Sequence, residues 1–141
     1  MNNHKIVLIG TGNIARTHAT ALKSIQNVAV SGVYDANPGA AQDFARDFGV
    51  SRVFAAIDDA VAFGADCAHI LTPPQHHLSA ALPFVEAGQS VFIEKPVGVS
   101  SAECDKLRRA AQCSGAVVGV NQNLVFNPAY RQLRETITAG K

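Results

Sequence analysis

Gly10-Thr11-Gly12-Asn13-Ile14-Ala15 follows the apolar run Ile6–Ile9 and opens a helical pattern. A glycine-rich turn at that place can hold phosphate. Gly10 permits the tight turn, Gly12 lets the backbone approach a pyrophosphate without a Cβ in the way, and Ala15 is small enough for helix to pack on strand. The helix N-terminus adds unpaired N–H groups and a partial positive charge. Alone, the pattern is also an ordinary strand-to-helix turn. Asp35 gives it context, because it ends the next apolar run twenty residues after Ala15, the spacing at which an acidic side chain takes the ribose hydroxyls of a dinucleotide. Asp35 reads equally as a turn residue in Asp35-Ala36-Asn37-Pro38. A carboxylate there repels a 2′-phosphate, and Ala36 and Asn37 bring no arginine, so NAD is expected over NADP. Arg46 or Arg52 folding back would weaken that preference.

Two further segments place polar groups at the ends of apolar runs. Ala68–Leu71 runs into Thr72-Pro73-Pro74-Gln75-His76-His77, where Thr72 offers a hydroxyl, the prolines a flat apolar wall, and one histidine a ring for the cleft. Thr72 reads alternatively as a helix N-cap, and the histidines as solvated surface residues. No third ligand stands at a useful spacing, so no metal site is expected. Ser90–Ile93 ends in Glu94-Lys95-Pro96. Lys95 would project at the carboxyl edge, where partial desolvation eases its loss of a proton and lets it draw a proton from a substrate hydroxyl. The bland alternative is a surface ion pair and a turn.

The elements that must position these residues are legible. Short apolar runs at Ile6–Ile9, Val28–Tyr34, Arg52–Phe54, Ala68–Leu71, Ser90–Ile93 and Val117–Val120 suit strands buried on both faces. Helical patterns lie between them. Asn37-Pro38 starts one that Gly49 stops. Thr72-Pro73 starts another with inner face Leu78, Ala81, Leu82 and Val85, ended by Gly88. Ser100 and Glu103 form a capping box for a third, closed by Gly115. The expected fold is therefore α/β, a doubly wound parallel sheet of about six strands, with a trailing helix capped by Asn127-Pro128. Residues 1–126 would form the dinucleotide-binding domain and 127–141 a linker helix. The 141 residues carry a net charge of +1 with no block of like charge, which argues against nucleic-acid or membrane-surface partners. No apolar run nears the ~18 residues of a membrane span, and the segment from Met1 is too short for a signal peptide. Cys67, Cys104 and Cys113 lack paired spacing and suit the reducing cytoplasm.

Together these residues resemble the Gfo/Idh/MocA oxidoreductase family over nearly the whole chain. The resemblance rests on Gly10–Ala15 with His18, Asp35, Thr72-Pro73-Pro74 with His77, Ala87–Val91, Glu94-Lys95-Pro96, and the stretch from Val118 to Pro128. It implies an N-terminal Rossmann domain followed by a catalytic α/β domain, and oxidation or reduction of a hydroxyl-bearing carbon on a sugar, inositol or related polyol. It further implies that Gly10, Thr11, Gly12, Asn13, Ile14 and Ala15 cradle the pyrophosphate and Asp35 the adenosine ribose. Thr72, Pro73 and His77 would line the cofactor, Glu94 and catalytic Lys95 would lie by nicotinamide and substrate, and Asn123 would be a polar neighbour. Val125 departs from the family, many members having an arginine in that segment. The family's Asp and His of the second domain have no counterpart in this sequence, so the chain is expected to be truncated before that domain. The uncovered side of Tyr130, Leu133 and Ile137 then predicts self-association into a homo-oligomer. A nucleotide-binding module working through a partner chain fits the same motifs. An S-adenosylmethionine-dependent methyltransferase also pairs a glycine loop with an acidic residue, but leaves Glu94-Lys95-Pro96 without a role.

Overall fold

Unbroken apolar runs need cover on both faces, and five of the six expected runs obtain it as strands of one parallel sheet. The computed structural model describes residues 4–140; residues 1–3 and Lys141, at the outer ends of the two expected segments, lie outside it. The strands are β1 (His4–Ile9), β2 (Val28–Tyr34), β3 (Cys67–Ile70), β4 (Ser90–Glu94) and β5 (Val118–Asn121), in the spatial order β2-β1-β3-β4-β5. The helices are α1 (Asn13–Lys23), α2 (Pro38–Phe48), α3 (Ile57–Ala62), α4 (His77–Glu86), α5 (Ser101–Ser114) and α6 (Pro128–Thr138). Side-chain alternation along β1 shows the two layers. Ile6 and Leu8 pack with Ala15, Ala19, Leu22 and Phe44 from α1 and α2, whereas Val7 and Ile9 pack with Phe84, Val85 and Leu107 from α4 and α5. Each buried Val, Leu, Ile or Phe among them contributes about 1.5–3 kcal/mol.

Three local expectations are corrected. Arg52–Phe54 is no full strand: Val53 makes only an isolated bridge to Val33, although Val33 N–H donates to the Arg52 carbonyl and Phe54 N–H to that of Val33. Three residues between two turns leave no room for more. Second, Thr72 caps no helix. A residue before proline is driven out of the helical region, so Pro74 holds Pro73 at φ −59°, ψ 150°, no helix can start at Pro73, and Thr72 has no first turn to cap. A 3₁₀ turn at Pro74–His76 follows, and α4 begins at His77. Its buried face is accordingly His77, Ala80, Ala81, Phe84 and Val85, with Leu78 and Leu82 half-buried. Third, the box at α5 is offset: Ser100 Oγ accepts from Glu103 N–H, but Glu103 Oε2 accepts from Val99 N–H rather than that of Ser100.

The other punctuation is as expected. Asn37 caps α2 through Gly39 and Ala40, Gly49 and Gly115 close α2 and α5 in the left-handed conformation, and Asn127 caps α6. Tyr130, Leu133 and Ile137 of α6 are exposed. Among the described residues no helix is long and apolar enough to cross a membrane.

Candidate functional site

From β1 the chain crosses to β2 on one side, and later places β3 on the other. Such a switch point opens a crevice beyond the strand carboxyl ends. A cleft of about 640 Å³ lies there, lined by Gly10 to Ile14, Tyr34, Asp35, Ala36, Thr72, Pro73 and His76, with Ile57, Leu71, Ser79 and Ala80 behind. Two glycines build it in different ways. Gly10 has φ +97°, and a Cβ there would stand 2.8 Å from the Leu71 carbonyl oxygen, so the turn presses on the end of β3. Gly12 has nothing within 4 Å of its missing Cβ; what that side chain would occupy is the cleft. Gly12 also sits at the N-cap of α1 without a side-chain cap, and the first turn carries no acid. Among the described residues the N–H groups of Asn13 and Ile14 meet no acceptor. Ala15 is fully buried where α1 meets the sheet.

Asp35 stands across the cleft mouth. Its Oδ2 accepts from both the N–H and the hydroxyl of Thr11, each at 2.8 Å, and its Oδ1 accepts from Asn37 N–H at 2.9 Å. It is therefore both the expected turn residue and a fixed carboxylate in the cleft. Thr72 Oγ1 is buried and has no hydrogen-bond partner, an atom whose desolvation is unbalanced unless a ligand meets it.

A second polar group lies over β3, β4 and β5. His18 of α1 places Nε2 3.1 Å from Glu94 Oε1 and Nδ1 3.0 Å from His69 Nδ1. Asn121 Nδ2 donates to the same Glu94 oxygen, and Phe92 packs against both imidazoles. Burial, then the neighbouring His18, lower the His69 pKa to about 4. Burial pushes Glu94 up, but hydrogen bonds from Asn121 and His18, attraction to His18 and the Lys95 N–H outweigh it and hold the carboxyl below its ordinary value. Away from both groups, burial and Asp66 raise the Cys67 thiol to about 11, leaving it protonated at neutral pH.

The expected residues thus divide. Gly10 to Ala15, Asp35, Thr72 and Pro73 meet at the cleft or support it. His77 does not line it. The ring is buried behind the wall, with Nδ1 2.6 Å from the Pro96 carbonyl and Nε2 2.8 Å from that of Thr72, tying the two loops together. Its neighbour His76 is the one that faces the cleft. Glu94 pairs with His18 and Asn121 rather than with Lys95. Lys95 is exposed at the β4 edge, not desolvated, and leads into a cis Lys95–Pro96 bond. Asn123 is exposed in the 3₁₀ turn 123–126, and Asn121, two residues earlier, points to the polar group instead. No motif singles out His69 or Asn121. Their only sequence signals are a histidine inside the run Ala68–Leu71 and an asparagine ending the strand that pairs with Glu94.

Over residues 4–122 the chain matches the model of an oxidoreductase family with an NAD-binding Rossmann fold. The chain belongs to the Gfo/Idh/MocA family. It is 32% identical over 126 residues to glucose-6-phosphate 3-dehydrogenase of Bacillus subtilis, covering 89% of this chain and 34% of that protein. Against inositol 2-dehydrogenase of Rhizobium meliloti the identity is 29%, over 95% of this chain and 40% of the relative. Among solved structures, UDP-N-acetylglucosamine 3-dehydrogenase GnnA of Acidithiobacillus ferrooxidans superposes with a TM-score of 0.85 at 29% identity, covering 96% of this chain and 44% of that one. GenD2 of gentamicin A biosynthesis, solved with NAD, gives 0.84 at 28%, covering 91% and 37%. The chain therefore spans less than half the length of these relatives.

Proposed function

We propose that the switch-point cleft binds NAD, and that the chain is the cofactor-binding part of a dehydrogenase acting on a hydroxyl-bearing carbon of a sugar, inositol or related polyol. The observation that carries this reading is the convergence on one cleft of groups without partners among the described residues, the Asn13 and Ile14 N–H groups and the Thr72 hydroxyl, with the fixed carboxylate of Asp35. Each fits a part of the cofactor. Gly10 to Ala15 would hold the pyrophosphate, the open space at Gly12 admitting it closely and the α1 N-terminus meeting its charge. Asp35 would take the adenosine ribose, and Thr72 and Pro73 the wall beside it. His77 would act from behind, through the Thr72 and Pro96 carbonyls.

When bound, NAD supplies the hydride acceptor. Lys95, exposed at the β4 edge and without a side-chain partner among the described residues, is the residue we assign to the substrate hydroxyl proton. Glu94, with His18 and Asn121, would hold that edge, and Asn123 would approach from the following turn. In this reading residues 1–126 are the cofactor-binding domain and 127–141 a connecting helix, whose exposed Tyr130, Leu133 and Ile137 would also support self-association. Free thiols at Cys67, Cys104 and Cys113 suit the cytoplasm.

Calorimetric titration with NAD, NADP and S-adenosylmethionine tests the assignment. Binding of NAD, tighter than NADP, is expected. Binding of S-adenosylmethionine alone, or of none of the three, would overturn it.

A further inference from the structure

Resting on the reading of the cleft as a dinucleotide site, we propose that Thr11 determines which dinucleotide is accepted, by locking Asp35 in place. Thr11 is 7% exposed, inside the glycine turn. Its amide and its hydroxyl both donate to Asp35 Oδ2, while the start of α2, through Asn37 N–H, holds Oδ1. A carboxylate has about four acceptor sites. Three are filled from within the chain, and the one left, on Oδ1, takes one hydroxyl.

A ribose 2′-hydroxyl can donate there. A 2′-phosphate, almost fully ionised at neutral pH, brings charge and little to donate. Asp35 cannot turn away from that charge, because its two oxygens are tied to two different helix starts. Nor does an arginine line the cleft to offset it. Arg16 pairs with Asp47 over Phe44 and Phe48, Arg46 pairs with Asp43, and Arg52 lies over the Phe63 ring. Thr11 is thus a positioning residue that acts through Asp35, a task separate from its place in the phosphate turn.

Thr11→Val keeps the shape and removes the hydroxyl, and Thr11→Ser keeps the hydroxyl. The dissociation constants of NAD and NADP are measured for parent and variants by calorimetry, with hydrogen exchange of the residue 11 amide in the free chain. Thr11→Val should lose about tenfold in NAD affinity, narrow the NAD-to-NADP ratio by at least that factor, and expose its amide. Thr11→Ser should keep the parent values. In an Asp35→Asn background Thr11→Val should leave the ratio alone, which a merely structural role would not predict. A folded Thr11→Val with the parent ratio, or an equal change of ratio in the Asp35→Asn background, overturns the lock. Should Thr11→Val not fold, Thr11→Ala against Thr11→Ser gives the same contrast, and the same two results overturn the lock. A parent chain that binds neither nucleotide overturns the reading of the cleft itself, and the lock with it.

Discussion

The cleft and the histidine group are both polar clusters at strand ends, yet their hydrogen bonding differs. In the cleft, the Asn13 and Ile14 N–H groups and Thr72 Oγ1 lack partners among the described residues, and a missing Cβ leaves space. Over β3, β4 and β5, Glu94, His18, His69 and Asn121 satisfy one another in a nearly closed group. A buried polar atom without a partner costs about 1–3 kcal/mol, and among the described residues Thr72 Oγ1 carries that cost at the cleft as Gln89 Oε1 does away from it. A satisfied group instead fixes geometry. The cleft thus keeps open donors and space, as the proposed binding there requires, and the other cluster is a self-satisfied group beside the Glu94-Lys95 edge.

The largest effect that would break this contrast is on folding. Gly10→Ala forces a Cβ against the Leu71 carbonyl at a positive φ and should cost on the order of 3 kcal/mol. Gly49→Ala, with φ +71° and open space, should cost only about 1 kcal/mol. Equal costs in denaturant unfolding would show that the close approach of turn and strand carries no weight. Next, Gly12→Ala should leave stability within about 1 kcal/mol while weakening NAD binding about a hundredfold, because the new methyl stands where the ligand goes. Unchanged binding would show that the cradle lies elsewhere.

The effect that is smallest per pH unit sharpens the other side. His69 has a folded pKa near 4 against an ordinary 6.5, so the unfolded chain takes up that proton first as the pH falls. The stability is fully present above pH 6.5 and is lost on descent toward pH 4. Glu94 is lowered too, so its contribution is present above the ordinary carboxyl range and disappears as the pH falls through its folded value. Both act in the same direction, at no more than about 1.4 kcal/mol per pH unit for each proton. Unfolding free energy measured between pH 7 and 4 should fall, and His69→Gln should flatten the upper part of that slope. An unchanged slope would place the acid sensitivity outside the cluster.

Much of this architecture is legible in the sequence. Glycine, proline and asparagine act through local sterics and short-range hydrogen bonds, so the helix boundaries at Asn37, Gly49, Ser100, Gly115 and Asn127 can be read directly. The boundary at Thr72 cannot, because two prolines in a row carry the restriction one residue further. The glycine turn and Asp35 are visible because their spacing is set by one strand-helix-strand unit. His69 and Asn121 are not, since a lone polar residue in an apolar run does not show which strand will lie beside it.

Left to itself, then, the sequence determined most of the elements, their parallel arrangement and the residues at the glycine turn, all consequences of periodicity and local backbone chemistry. The tertiary structure decided which of those residues face one another. Strand order brought Thr11 onto Asp35 and His18 onto Glu94, 24 and 76 residues apart. It turned His77 inward and left Lys95 and Asn123 outside the cleft. Contacts across such distances depend on how strands are ordered and helices seated, and no local pattern encodes that.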